Sequence, residues 1–180
     1  MSGLLSTIIP SALVATVTGA AINIWRENRT SKQSTKYDAL VAAVALEGYA
    51  INCADKISAH KAATWSEGHA GAFMASVPKL PELSVTAGYL RHRKASVANQ
   101  LMTFPQDVNQ AEQAVAFWWD VVGDEEATKG AAVQQSARIG LQSLNLAKVL
   151  RDSFSLPKRH LVFGEYDIHD VLNKELPKDE

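Results

Sequence analysis

KYDALVAAVALEGYAINCADKI, residues 36–57, decides the fold class. Tyr37, Leu40, Val41, Val44, Gly48 and Ile51 recur at helical spacing, and the apolar run continues through Ile57. Alanine, the best helix former, fills much of what lies between. Thr35 with Asp38 three residues on resembles a capping arrangement. These features predict a helix over residues 36–62.

Toward the N-terminus the pattern changes. Met1 to Trp25 contains no charged side chain, and Arg26, Arg29, Lys32 and Lys36 then stand against the single Glu27. Leu4 to Trp25 would span about 33 Å as a helix, close to the roughly 30 Å of bilayer hydrocarbon. Its leucines, isoleucines and valines contribute about −4 kcal/mol on an insertion scale. Ser6, Thr7, Pro10, Ser11, Thr16, Thr18 and Asn23 oppose them. Pro10 falls in the first turns, where a missing backbone donor costs least, and Trp25 sits where an aromatic belt belongs.

The expectation is a transmembrane anchor at residues 1–25, followed by a basic juxtamembrane connection at 26–35, with a helical continuation through that segment as the alternative. A cleaved signal peptide fits less well, because every positive charge follows the apolar stretch. The other alternative is a helix buried inside a soluble bundle. The basic collar orients an anchor with its N-terminus outside and the remainder cytoplasmic, at the inner (plasma) membrane of a bacterium. Ser11, Ala15 and Gly19 share one helix face, at a spacing that lets two membrane helices approach. A homo-oligomer through the anchor is one expectation.

Toward the C-terminus, residues 63–83 hold Trp65, Gly68, Gly71, Pro78 and Pro81 and predict an irregular connection. A short turn of helix is expected there over 70–76. Val85 to Thr103 reads as a helix ended by Pro105, and Asp107 to Val122 as another stopped by Gly123. Asp124 then caps a long helix, with Glu125 and Glu126 in its first turn, running to about Phe154 before Pro157. The last segment starts extended and becomes helical from about Ile168. No alternating strand pattern occurs. The fold class is all-α: an N-terminal anchor and then a bundle of about four helices over 36–176, with an acidic tail at 177–180.

Composition narrows the chemistry. The 180 residues carry a net charge of −1, which argues against nucleic acid as a partner. The lone Cys53 excludes an internal disulfide; mid-helix, it has no activating histidine or helix N-terminus and reads as a packing residue. No phosphate loop, dinucleotide fingerprint, nucleophile elbow or helical zinc-binding pair of histidines is present, and no cofactor is implied. His60, His69, His92, His160 and His169 are never four apart, so a metal would need carboxylates such as Glu67, Glu165 or Asp167.

Three clusters remain. Glu47 and Asp55 lie about 80° apart around one helix in an apolar stretch; with Asp120 and Asp124 they are candidates for a polar pocket with acid–base capability. The plainer reading pairs such carboxylates with Lys56, Arg138 or Arg151. Trp118 and Trp119 are a candidate partner-binding hot spot, against plain core packing. Arg91, Arg93 and Lys94, with Arg26 and Arg29, are candidates for binding anionic headgroups; the alternatives for the Arg91 to Lys94 cluster are a nucleic-acid backbone and a merely solvated helix face.

On Ala45 to Asp55 and Phe117 to Asp124, the chain resembles a diffuse group of small bacterial proteins with an N-terminal anchor, a basic collar and an Ala/Leu-rich helical domain. The resemblance implies a membrane-anchored helical domain and carries over no activity. The expected function is an interaction or accessory protein at the inner face of the membrane, with the membrane and a protein as partners. The alternatives are a helical hydrolase using the clustered carboxylates and a membrane-perturbing effector acting through oligomerised anchors.

Overall fold

A computed structural model describes residues 5–91 and 95–177, with side chains from Arg26 onward except those of Asn28 and Arg91. The described chain is mostly helical. Helix α1 (Leu5–Trp65) runs unbroken through 61 residues, followed by α2 (Ala87–Arg91), α3 (Ala95–Phe117), a π-helical turn (Trp118–Val122) and α4 (Glu125–Ser153). A two-residue antiparallel hairpin, β1 (Val162–Phe163) and β2 (Tyr166–Asp167), leads into α5 (Ile168–Asn173).

The 26–35 segment continues α1 rather than forming a separate link. Arg26, Glu27, Arg29 and Thr30 are exposed, and Thr35 is the first buried side chain recorded on α1. Among the described side chains, the packing of α1 therefore begins at Thr35. Among the described residues, no helix is long and apolar enough to cross a membrane. The side chains of residues 1–25, including Ser11, Ala15 and Gly19, lie outside that set.

Helices α1 and α4 form the antiparallel centre. Small residues let them approach: Ala39, Ala43, Ala50 and Ala54 on α1 and Ala132, Ala137 and Ala147 on α4 are all buried. At one crossing, Ser143 Oγ donates to the Leu46 carbonyl at 2.8 Å. At another, a Cβ on Gly140 would meet the Leu172 methyl groups at 3.0 Å and the Cys53 Cβ at 3.2 Å, so glycine there lets α5 close over both helices. Helix α3 contributes Leu101, Phe104, Val108, Ala111 and Val115 to the same core.

Two expectations beyond α1 are corrected. Pro105 lies inside α3 and does not end it. An interior proline costs about 3 kcal/mol, but Leu101, Phe104 and Val108 on its flanks are all buried, and their packing holds the helix together. Residues 70–76 form no helical turn. The connection is instead strapped onto α1. Gly71, at φ +78°, presses against the Ala59 carbonyl, the Met74 amide donates to His60 Nδ1 at 3.2 Å, and Tyr49 Oη donates to the Pro78 carbonyl at 3.0 Å.

The expected cap at Thr35 and helix start at 36 are not formed, since α1 runs through them and the Thr35 hydroxyl donates to the Ser31 carbonyl at 2.8 Å. Three other local signals are realised as read. Gly123 closes the π turn in the left-handed region at φ 69°. Asp124 caps α4 by accepting from the Glu126 and Ala127 amides at 3.0 and 2.9 Å. Helix α5 starts at Ile168, capped by Asp167.

Candidate functional site

Two features of the surface call for explanation, and they sit on different parts of the bundle. The first surrounds Glu47. Its position among apolar neighbours on α1 buries a carboxylate, which requires compensation. Arg151, near the end of α4, supplies it through a two-pronged contact: Nε to Oε1 at 2.5 Å and Nη2 to Oε2 at 2.9 Å. Arg151 Nη1 also donates to the Pro157 carbonyl at 2.6 Å, fixing the loop that leaves α4. From that loop, Arg159 Nη1 reaches Glu47 Oε2 at 3.2 Å. Both Glu47 oxygens are thus held by guanidinium groups, and the carboxylate works as an anchor for the α4 exit.

A cavity of about 370 Å³ opens beside this network. Leu144, Lys148, Lys158, Arg159, His160 and His169 help to line it. Among the described residues, the side chains of Lys148, Lys158 and His160 have no hydrogen-bond or ion-pair partner. All three side chains are exposed.

The four carboxylates Glu47, Asp55, Asp120 and Asp124 do not share a pocket. Asp55 is exposed and accepts from Tyr166 Oη at 3.3 Å, while that hydroxyl also meets Ser58 Oγ at 3.0 Å. This ties the hairpin to α1, and burial pushes the Tyr166 hydroxyl upward. Asp120 lies exposed in the π turn. Asp124 caps the opposite end of α4 from Arg151, about 40 Å away at 1.5 Å per residue. Shared angle on one helix said nothing about this separation along the axis. Of the partners considered for Glu47, Arg151 is the one it meets.

The second feature is the α3–α4 corner. Phe117, Trp118, Trp119, Val121 and Val122 are all exposed, with Trp119 at 59% and Val121 at 70%. No residue of the π turn is buried, so neither tryptophan enters the core. Phe117 and Trp118 rings meet edge to face at 5.9 Å. Trp65, 90% exposed, ends α1 close to Gly130 and Val133 of α4, so it belongs to the same end of the bundle. Asp120, Asp124, Glu125 and Glu126, all exposed, lie within or directly after the π turn, with Lys129 bridging the two glutamates at 2.8 and 3.6 Å.

Cys53 is fully buried, and burial pushes its thiol up to about 12. It is a packing residue. Among the described residues, no group of three His, Cys, Asp or Glu side chains could hold a metal ion. Arg26 and Arg29 lie on the exposed upstream part of α1. The Arg91 side chain, Arg93 and Lys94 lie outside the described residues.

Sequence reasoning missed the Lys148, Lys158, Arg159 and His160 constellation. The consecutive basic triplet Lys158-Arg159-His160 after Pro157 was the available signal. It resembles the Arg91 to Lys94 run, but only the fold brings it to Glu47 and Lys148.

No family model, curated protein or solved structure matches this chain.

Proposed function

We propose that this chain is a membrane-anchored helical interaction protein, with its aromatic end presented to a protein partner on the cytoplasmic side. The observation that carries the reading is the π turn. Five consecutive residues, Trp118–Val122, contribute no buried side chain to the core, yet include two tryptophans and two valines. Exposed apolar surface of this density marks interaction sites, and tryptophan dominates binding hot spots. Turns of π-helix occur often at functional sites.

Support for the tether comes from the uncharged stretch before Trp25, the basic residues that follow, and the continuity of α1. From Trp25 to Trp65 the helix rises about 60 Å. On this reading α1 is a spacer that holds the aromatic end clear of the lipid surface. The acidic residues around that end favour a partner with an apolar groove and a basic rim.

The test is site-specific photo-crosslinking from position 119 of the full chain in its native membranes. A discrete adduct that disappears when Trp118→Ala is added supports the reading. Diffuse or absent crosslinking, with Trp118→Ala changing nothing, overturns it.

A further inference from the structure

We propose that the cavity beside the Glu47–Arg151 pair binds a small soluble organic anion, with its phosphate or carboxylate group toward Arg159, Lys148, Lys158 and His160. The site is independent of the aromatic end and of the anchor.

The charges on the cavity wall divide into committed and uncommitted groups. Glu47 and Arg151 neutralise each other through two hydrogen bonds. Asp167 is committed to capping α5 through the His169 and Asp170 amides. His169 shares a hydrogen bond with Asn173 at 3.1 Å. Lys148, Lys158 and His160 have no partner among the described residues, and Arg159 spends one N–H on Glu47 at 3.2 Å. Against these donors stand Asp152, whose side chain has no partner among the described residues, and the charge that Asp167 keeps as a cap; the four Lys and Arg of the wall outnumber its three carboxylates by one. The uncommitted balance is positive.

A core ion pair explains Arg151, because a buried carboxylate needs a counter-charge. It does not explain three further cationic or imidazole groups gathered around a cavity from two segments of chain. Arg159 is the link: the Glu47 contact orients its guanidinium while leaving the rest of its donor fork for a ligand, and such forks match carboxylate and phosphate geometry.

Volume and lining specify the rest of the ligand. About 370 Å³ lies within the range of small-molecule sites and exceeds what a bare inorganic anion fills. Leu144, Leu161 and Val162 form an apolar part of the wall, suited to a short hydrocarbon or aromatic body. Glu47 is 22 residues along α1 from Trp25, about 33 Å of helix, so a ligand free in solution suits this position better than a headgroup of the bilayer beside Trp25.

The experiment is calorimetric titration of the full chain in detergent with phenyl phosphate, benzoate and inorganic phosphate, alongside vesicles containing phosphatidic acid. Saturable binding of phenyl phosphate or benzoate, tighter than inorganic phosphate, is expected. Arg159→Gln and Lys148→Gln should each weaken it about tenfold, the scale of one charge-assisted contact. Both positions are exposed, so melting temperatures report whether either variant has lost its fold; Lys158→Gln is the second reporter if one has. Lys61→Gln, remote from the cavity, should leave affinity unchanged. No saturable binding of either organic probe, affinity indifferent to all three cavity substitutions, equal affinity for inorganic phosphate, or binding to the vesicles alone would each overturn the proposal.

Discussion

At the scale of single residues, Glu47 and Cys53 show how burial decides chemistry. Glu47→Ala should destabilise the bundle by about 3–5 kcal/mol, since it strands the Arg151 charge in the interior. Arg159→Gln removes only the more exposed partner, at 43% side-chain exposure, and should cost under about 1 kcal/mol. Urea denaturation of the two variants measures both. The Cys53 thiol, raised by burial to about 12, should resist an aromatic disulfide reagent in native protein and react at once after unfolding. His60 supplies a pH dependence. Its Nδ1 accepts from the Met74 amide, and burial lowers its pKa below the usual histidine value. The unfolded chain therefore binds the extra proton first, so this contribution is full above about pH 6.5 and is lost as pH falls below it. His60→Asn keeps an acceptor without titrating, and should flatten the stability slope on the acid side of pH 6.5.

Elements differ in how openly the sequence announces them. Helix α4 was legible from end to end because its signals are local: Gly123 must accept a positive φ, Asp124 must cap, and Pro157 must follow the stop. The start of α5 was legible for the same reason. Pro105 misled because propensity is local, whereas the burial of Leu101, Phe104 and Val108 that outweighs it is tertiary. The π turn left no signature, since one inserted residue per turn changes hydrogen bonding without changing composition. The cavity was hidden because Lys158 to His160 lie in a loop with no periodicity, which the Arg151 bond to Pro157 and the Arg159 bond to Glu47 fold back onto α4 and α1. Glycines test the packing at this scale. A Cβ at Gly88 would approach Thr35 Oγ1 to 2.0 Å, while Gly130 has nothing within 4 Å. Gly88→Ala should lower the melting temperature, as α2 is forced off α1. Gly130→Ala should stabilise by up to about 1 kcal/mol through helix propensity alone.

For the whole molecule, the all-α class followed directly from repeated 3.6-residue spacing, but the relation of its parts did not. Angular position on a helix wheel placed Glu47 and Asp55 on one margin; the axial rise and the antiparallel run of α4 sent Asp120 and Asp124 to the far end. That same arrangement separates the two surfaces proposed to act: a cationic cavity partway along the bundle and an aromatic, acid-rimmed surface at the end of α1. Helix α1 runs from the uncharged N-terminal stretch to both. The most direct test of this account is carbonate extraction of membranes carrying the full chain, beside a variant with Val14→Glu and Val17→Glu. Each carboxylate near the bilayer centre costs about 2.5–3.5 kcal/mol, close to the whole insertion energy of the stretch. Retention of the full chain in the extracted pellet, with release of the double variant into the supernatant, is the predicted result. Full release of the unaltered chain would contradict the anchor and return the first part of α1 to the soluble fold.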